Sequence, residues 1–176
     1  MQQLITRDLT EERGCILSAD GVYRYRLWRV WDASLPTLAF VMLNPSTADH
    51  LTDDPTVRRC ISRACGGKFG RLEVVNLFAL RTMKPNELLA HANPIGVREE
   101  ADRAIRESAN CAAAVICAWG AHPSALKRAE AVAALMRGAA EQGKLFRLGL
   151  NKDGSPKHPL YVAAGGQPER FEWSVR

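Results

Sequence analysis

LAFVMLNPSTADHLTDDPTVRRC, residues 38–60, decides the fold. Its first part, Leu38 to Leu43, is a continuous apolar run that fits a strand buried on both faces, as in a parallel sheet. Asn44-Pro45-Ser46-Thr47 stops that run within one residue and reads as a turn. Asp53 or Asp54 then caps a helix whose first position suits Pro55, and Val57, Cys60, Ile61 and Ala64 follow at helical spacing. Strand, polar loop and helix in this order form the first half of a βαβ unit. The loop leaving the carboxyl end of a parallel strand is where such proteins hold ligands.

The pattern repeats outward from there. Gly66-Gly67 ends the helix. Leu72 to Leu80 is a second apolar strand, and Pro85 to Ala90 reads as a short helix. Asn93-Pro94 opens a further helix with Val97, Ala101, Ala104 and Ile105 as its inward stripe. Ala112 to Trp119 is a third strand, His122 to Gly143 one long amphipathic helix, and Leu145 to Leu150 a fourth, short strand. On the N-terminal side, Tyr23 to Asp32 alternates aromatic or apolar residues with Arg24, Arg26 and Arg29. It reads as an edge strand with a solvated basic face, the other reading being a nucleic-acid surface. The expectation is one α/β domain over residues 1–176, three-layered α/β/α. Its centre would be a mainly parallel four-stranded sheet, with an N-terminal antiparallel strand or hairpin over about residues 1–35.

Composition sets the outer limits. A chain of 176 residues with 47% hydrophobic and 24% charged residues can bury a sizeable core. The net charge of +5 suits an anionic partner such as a nucleotide or nucleic acid. The cysteines, Cys15, Cys60, Cys65, Cys111 and Cys117, are odd in number and have no C-x-x-C spacing. They read as reduced thiols, without a disulfide framework or a zinc site. The first residues carry no apolar signal-peptide core, and no apolar run approaches the ~20 residues of a membrane span. A cytoplasmic protein without membrane contact is expected, with no cofactor and no protein partner.

Parallel strands point one way, so their polar ends converge on one crevice. The first end brings Asn44, Pro45, Ser46 and Thr47. The second brings Asn76, Phe78 and Arg81, and the third Ala118-Trp119-Gly120. The segment after the fourth brings His158-Pro159-Leu160-Tyr161. Each has a plainer reading: Asn44 as a turn cap, Asn76 as a local backbone partner, Trp119 as core, His158 as a loop residue. Arg58 and Arg59 read as surface charge, and Arg81 as the better phosphate ligand.

These marks resemble those of the uracil-DNA glycosylases. Leu43-Asn44-Pro45-Ser46 is similar to that superfamily's first loop, Val74-Val75-Asn76 to its asparagine-closing strand, Ala118-Trp119-Gly120 to its L-W-G, and His158-Pro159-Leu160 to its C-terminal H-P-S. The first loop lacks the superfamily's preceding glycine, and H-P-L-Y replaces its duplex-penetrating segment. The chain also resembles, more specifically, a bacterial and phage family catalogued as a domain of unknown function. The marks are N-P-S-T-A-D from Asn44, D-D-P-T-x-R from Asp53, V-N-L-F-A-L-R from Val75 and H-P-L-Y from His158. That second resemblance implies no established activity. The first implies a nucleobase or nucleotide bound at the strand ends and cleavage of an N-glycosidic bond. Asn44 would orient water, Asn76 would pair with a base edge, and His158 would stabilise the departing base. Pro45, Ser46, Thr47, Phe78, Arg81, Trp119 and Tyr161 would complete the binding site. An asparagine positions water but cannot act as a general base, so catalysis would need a carboxylate nearby. The alternatives are a non-catalytic nucleotide or nucleic-acid binding module, and a metal-assisted phosphoester hydrolase using Asp49, Asp53 and His158.

Overall fold

The computed structural model describes residues 1–172. The strands are β1 (Gln2–Arg7), β2 (Glu12–Leu17), β3 (Arg24–Val30), β4 (Thr37–Met42), β5 (Arg71–Asn76), β6 (Ala114–Cys117), β7 (Leu145–Arg147) and β8 (Glu169–Arg170). The helices are α1 (Pro55–Gly66), α2 (Glu87–Ala90), α3 (Arg98–Cys111), α4 (Ala125–Leu135) and α5 (Arg137–Glu141). A 3₁₀ turn spans Pro159–Tyr161.

The sheet corrects the expected four-stranded, mainly parallel centre. It has eight strands in the order β1-β2-β3-β5-β4-β6-β7-β8. Four pairings are antiparallel (β1·β2, β2·β3, β3·β5, β7·β8) and three are parallel (β4·β5, β4·β6, β6·β7). The first 30 residues supply three sheet strands instead of an appended hairpin. Asp8 closes the first turn by accepting the Thr10 and Glu11 N–H groups. β1 is exposed at almost every position, so its sequence has no buried face to betray a strand. β2 carries Gly14, where a Cβ would stand 2.1 Å from the Trp28 indole; only glycine lets that ring lie across β2.

The expected solvated basic edge is also corrected, because β3 is an interior strand between β2 and β5. Arg24 and Arg29 are buried. Arg26 and Arg71 pair with Glu73 at 2.7 Å each, and Ser108 Oγ donates to the same carboxylate. Those bonds hold the Glu73 carboxyl below its usual range although burial opposes them. Arg29 pairs with Asp53 at 2.7 Å and Arg13 with the same group at 2.5 Å. The arginines are thus internal ties rather than a surface.

Alternation along the central strands feeds two cores. Leu38, Phe40, Met42, Leu72, Val74 and Ile116 face Val57, Cys60 and Ala64 of α1. Ala39, Val41, Val75, Val115 and Cys117 belong with Ala101, Ile105, Ala129 and Val132 of α3 and α4. Each fully buried side chain of this size contributes about 1.5–3 kcal/mol. The one long helix expected over His122 to Gly143 is instead α4 and α5, interrupted at Met136, whose side chain is fully buried. No helix among the described residues is long and apolar enough to cross a membrane. The five cysteines are free; Cys65 and Cys111 are exposed.

Candidate functional site

The β4, β5 and β6 ends open into a cavity of about 320 Å³. It is lined by residues of the loop after β4 and the start of α1, the segment after β5, the segment after β6, and the 3₁₀ turn. Several bonds hold these segments. Leu77 N–H donates to Met42 O at 2.8 Å and Phe78 N–H to Leu43 O at 3.0 Å, carrying the β4–β5 pairing past the strands. Thr82 N–H then donates to Pro45 O at 2.9 Å. Asn44 Nδ2 donates to Pro45 O and Thr82 O, both at 2.8 Å, which leaves its Oδ1 as the side-chain acceptor. Gly120 turns the third segment at φ +76°, and a Cβ there would lie 3.6 Å from His158 Cβ.

Of the residues expected to form the site, Asn44, Ser46, Trp119, His158 and Tyr161 line this cavity. The others are placed elsewhere. Asn76 lies buried behind Arg24, its Oδ1 accepting from Arg24 Nη2 at 3.3 Å. Phe78 is packed in the core on the α3–α4 side. Pro45 is buried, and its carbonyl ties the loop. Thr47 is exposed and lends its carbonyl to Arg81, whose guanidinium also donates to Gly21 O. Arg81 is therefore a loop tie between two backbone segments.

Residues not anticipated complete the lining, among them Arg24, Asp54, Thr56, Thr82 and His122. Asp54 is the N-cap of α1, its Oδ1 accepting the Val57 N–H at 2.8 Å. An N-cap carboxylate at a strand-end loop faces the crevice by topology, a signal present in the sequence but overridden by the capping reading. Arg24 left no such signal, because an arginine on an alternating strand ordinarily faces water.

Burial lowers the His158 pKa, with the Asp54 charge opposing, so the imidazole is neutral near pH 7. Its Nδ1 accepts the Leu160 N–H at 3.4 Å, which places the proton on Nε2 and makes that atom a donor. Tyr161 stands at the rim, 84% exposed, its ring 5.8 Å from the imidazole. Burial likewise lowers the His122 pKa; that ring bonds Ser124 Oγ at 2.7 Å and Asn86 Oδ1 at 3.3 Å.

Asp49 and Asp53 do not join His158. Asp49 accepts from Leu51 N, Thr52 N and Thr52 Oγ1 within its own loop, and Asp53 is held by Arg29 and Arg13. Among the described residues no group of three or more His, Cys, Asp or Glu side chains is arranged to hold a metal ion.

Fold and site together define an α/β protein with a strand-end pocket that combines a carboxylate, a neutral imidazole and a buried guanidinium. The family model described as protein of unknown function (DUF1643) matches residues 24–160, and the chain belongs to that family. No curated protein and no solved structure matches it.

Proposed function

We propose that the cavity binds a nucleobase or nucleotide and that the reaction it serves is hydrolysis of an N-glycosidic bond. The observation that carries this reading is the placement of Asp54 and His158 on one cavity wall set, a carboxylate and an N–H donor around a space of nucleobase size. Glycosidic cleavage develops positive charge on the sugar and negative charge on the departing base. A carboxylate answers the first and a neutral imidazole N–H the second. Asn44 Oδ1 and Asp54 would hold the attacking water, with Asp54 supplying the basicity that an asparagine lacks. Trp119 and Tyr161 would give the flat apolar contact a base requires.

The internal engagement of Arg26, Arg29 and Arg81 favours a small ligand or a single extruded base over a long phosphate track. The experiment is a chromatographic assay for free base released from nucleosides, nucleotides and oligonucleotides. Base release that disappears in Asp54→Asn supports hydrolysis. Binding without release, unaffected by Asp54→Asn, would reduce the function to a binding module. Activity lost to a chelator would instead call for a metal-assisted hydrolase.

A further inference from the structure

Arg24 is a buried cation without a carboxylate partner. Its side chain lines the cavity, yet the residue is 2% exposed and enters none of the ion pairs among the described residues. It donates to Ala48 O at 2.8 Å and to Asn76 Oδ1 at 3.3 Å. Its Nε has no hydrogen-bond partner, and neither has the Nδ2 of Asn76 beside it. Two adjacent residues, each more than nine-tenths buried, thus hold donors without acceptors.

Such an arrangement is costly. Unpaired buried donors lose their hydration without compensation, and an unpaired buried cation loses far more. A purely structural arginine at this depth finds a carboxylate, as Arg29 does in Asp53 and Arg128 in Asp102. Unpartnered guanidinium nitrogens also occur on Arg71 and Arg128, so it is the missing carboxylate that sets Arg24 apart among the buried arginines, and Arg24 lies at the cavity. Asp54, on the same cavity, attracts the Arg24 charge but makes no ion pair with it. The cavity is therefore polarised, with a guanidinium on one part of its lining and a carboxylate on another. Ser46, Thr56 and Thr82 also line the cavity.

We propose that Arg24, held by Asn76 and the Ala48 carbonyl, is an oxyanion seat that receives an anionic oxygen of the bound ligand. Two sources share that chemistry: the phosphate of a nucleotide, and an exocyclic carbonyl oxygen that carries negative charge on a base. The inference rests on the same pocket as the nucleotide reading but not on its hydrolytic step, so each fails separately.

The test is calorimetric titration of the full chain with inorganic phosphate, a panel of nucleosides and their 5′-monophosphates, comparing the parent with Arg24→Gln. Arg103→Gln, which removes a charge from the exposed face of α3, serves as the control for net charge. Arg24→Gln is expected to weaken binding on the order of 10- to 100-fold, the range for a charge-assisted bond, and Arg103→Gln to leave it unchanged. Monophosphates binding tighter than nucleosides, with phosphate competing, assign the seat to phosphate. Equal binding without phosphate competition assigns it to the base oxygen. If Arg24→Gln does not fold, Arg24→Lys keeps the charge, and phosphate must still raise the melting temperature of the parent above that in chloride at equal ionic strength, or nucleoside binding must survive in the lysine variant. A folded Arg24→Gln that binds every ligand as the parent does, or a parent that binds none of them, overturns the proposal.

Discussion

Replacing Arg29 with methionine should cost about 3 kcal/mol of stability. Arg29 is fully buried and makes five bonds: two to Asp53 Oδ1 at 3.0 and 2.7 Å, and one each to the carbonyls of Asp49 (2.5 Å), Thr52 (3.3 Å) and Trp28 (2.7 Å). Removing one partner of a buried pair typically costs ~3–5 kcal/mol. Two features place Arg29→Met at the lower end. The Asp53 side chain is 16% exposed and keeps Arg13 at 2.5 Å, and the methionine retains apolar contacts of the arginine stem. Against a total stability of about 5–15 kcal/mol, the loss moves a urea midpoint clearly while leaving the slope unchanged. The double variant Arg29→Met/Asp53→Asn should lose less than the sum of the single changes, since each removes the same pair. A loss under about 1 kcal/mol, or strict additivity, would refute the claim that this clamp holds the loop over residues 49–54 against the sheet.

Asn76→Ala, which strands a buried Arg24 N–H, should weaken ligand binding by about 1–3 kcal/mol; titration with nucleotides checks it. His158→Ala should slow base release by ~100-fold or more with little change in affinity, measured at saturating substrate. The pH dependence has a definite sign. The His158 pKa is lowered in the fold, so the unfolded chain protonates first as pH falls. The stability tied to the neutral ring is fully present above ~6.5 and is lost as pH drops from there toward the lower folded value. Turnover should show its acid limb below ~6.5, and His158→Asn should remove that limb from turnover while only reducing it in stability, where His122 is shifted the same way. Phe78→Ala should cost ~3–5 kcal/mol of stability, as a core truncation does. Its folded fraction should bind ligand as the parent does, which separates Phe78 from the pocket.

The part of the fold that was legible is the part with two-sided burial. Leu38 to Leu43, Val74-Val75 and Val115 to Cys117 are apolar on successive residues because helices cover both faces of the sheet there, and that pattern survives in the sequence. β1 and β8 bury almost nothing and so wrote no pattern; their pairing is set by neighbours rather than by their own side chains. β3 hides its burial for a different reason: its arginines look solvated, and the acids that neutralise Arg26 and Arg29, Glu73 and Asp53, stand 47 and 24 residues away. The lining of the candidate cavity was half legible on the same grounds. Asn44 and Trp119 follow strand ends, where topology alone brings residues together, and His158 comes to them on the 3₁₀ turn after β7. Arg24 reaches the cavity from an antiparallel strand that was placed at the edge. Asp54 was seen, but its cap bond to Val57 accounts for only one of its two oxygens.

A crystal structure of the protein soaked with a nucleotide decides whether the strand-end cavity is a nucleobase or nucleotide site. Density for the ligand is expected inside the cavity, with an anionic oxygen within hydrogen-bond distance of Arg24 and the base in contact with Trp119 and His158. A nucleotide bound elsewhere on the surface, with Arg24 and His158 untouched, would contradict that reading.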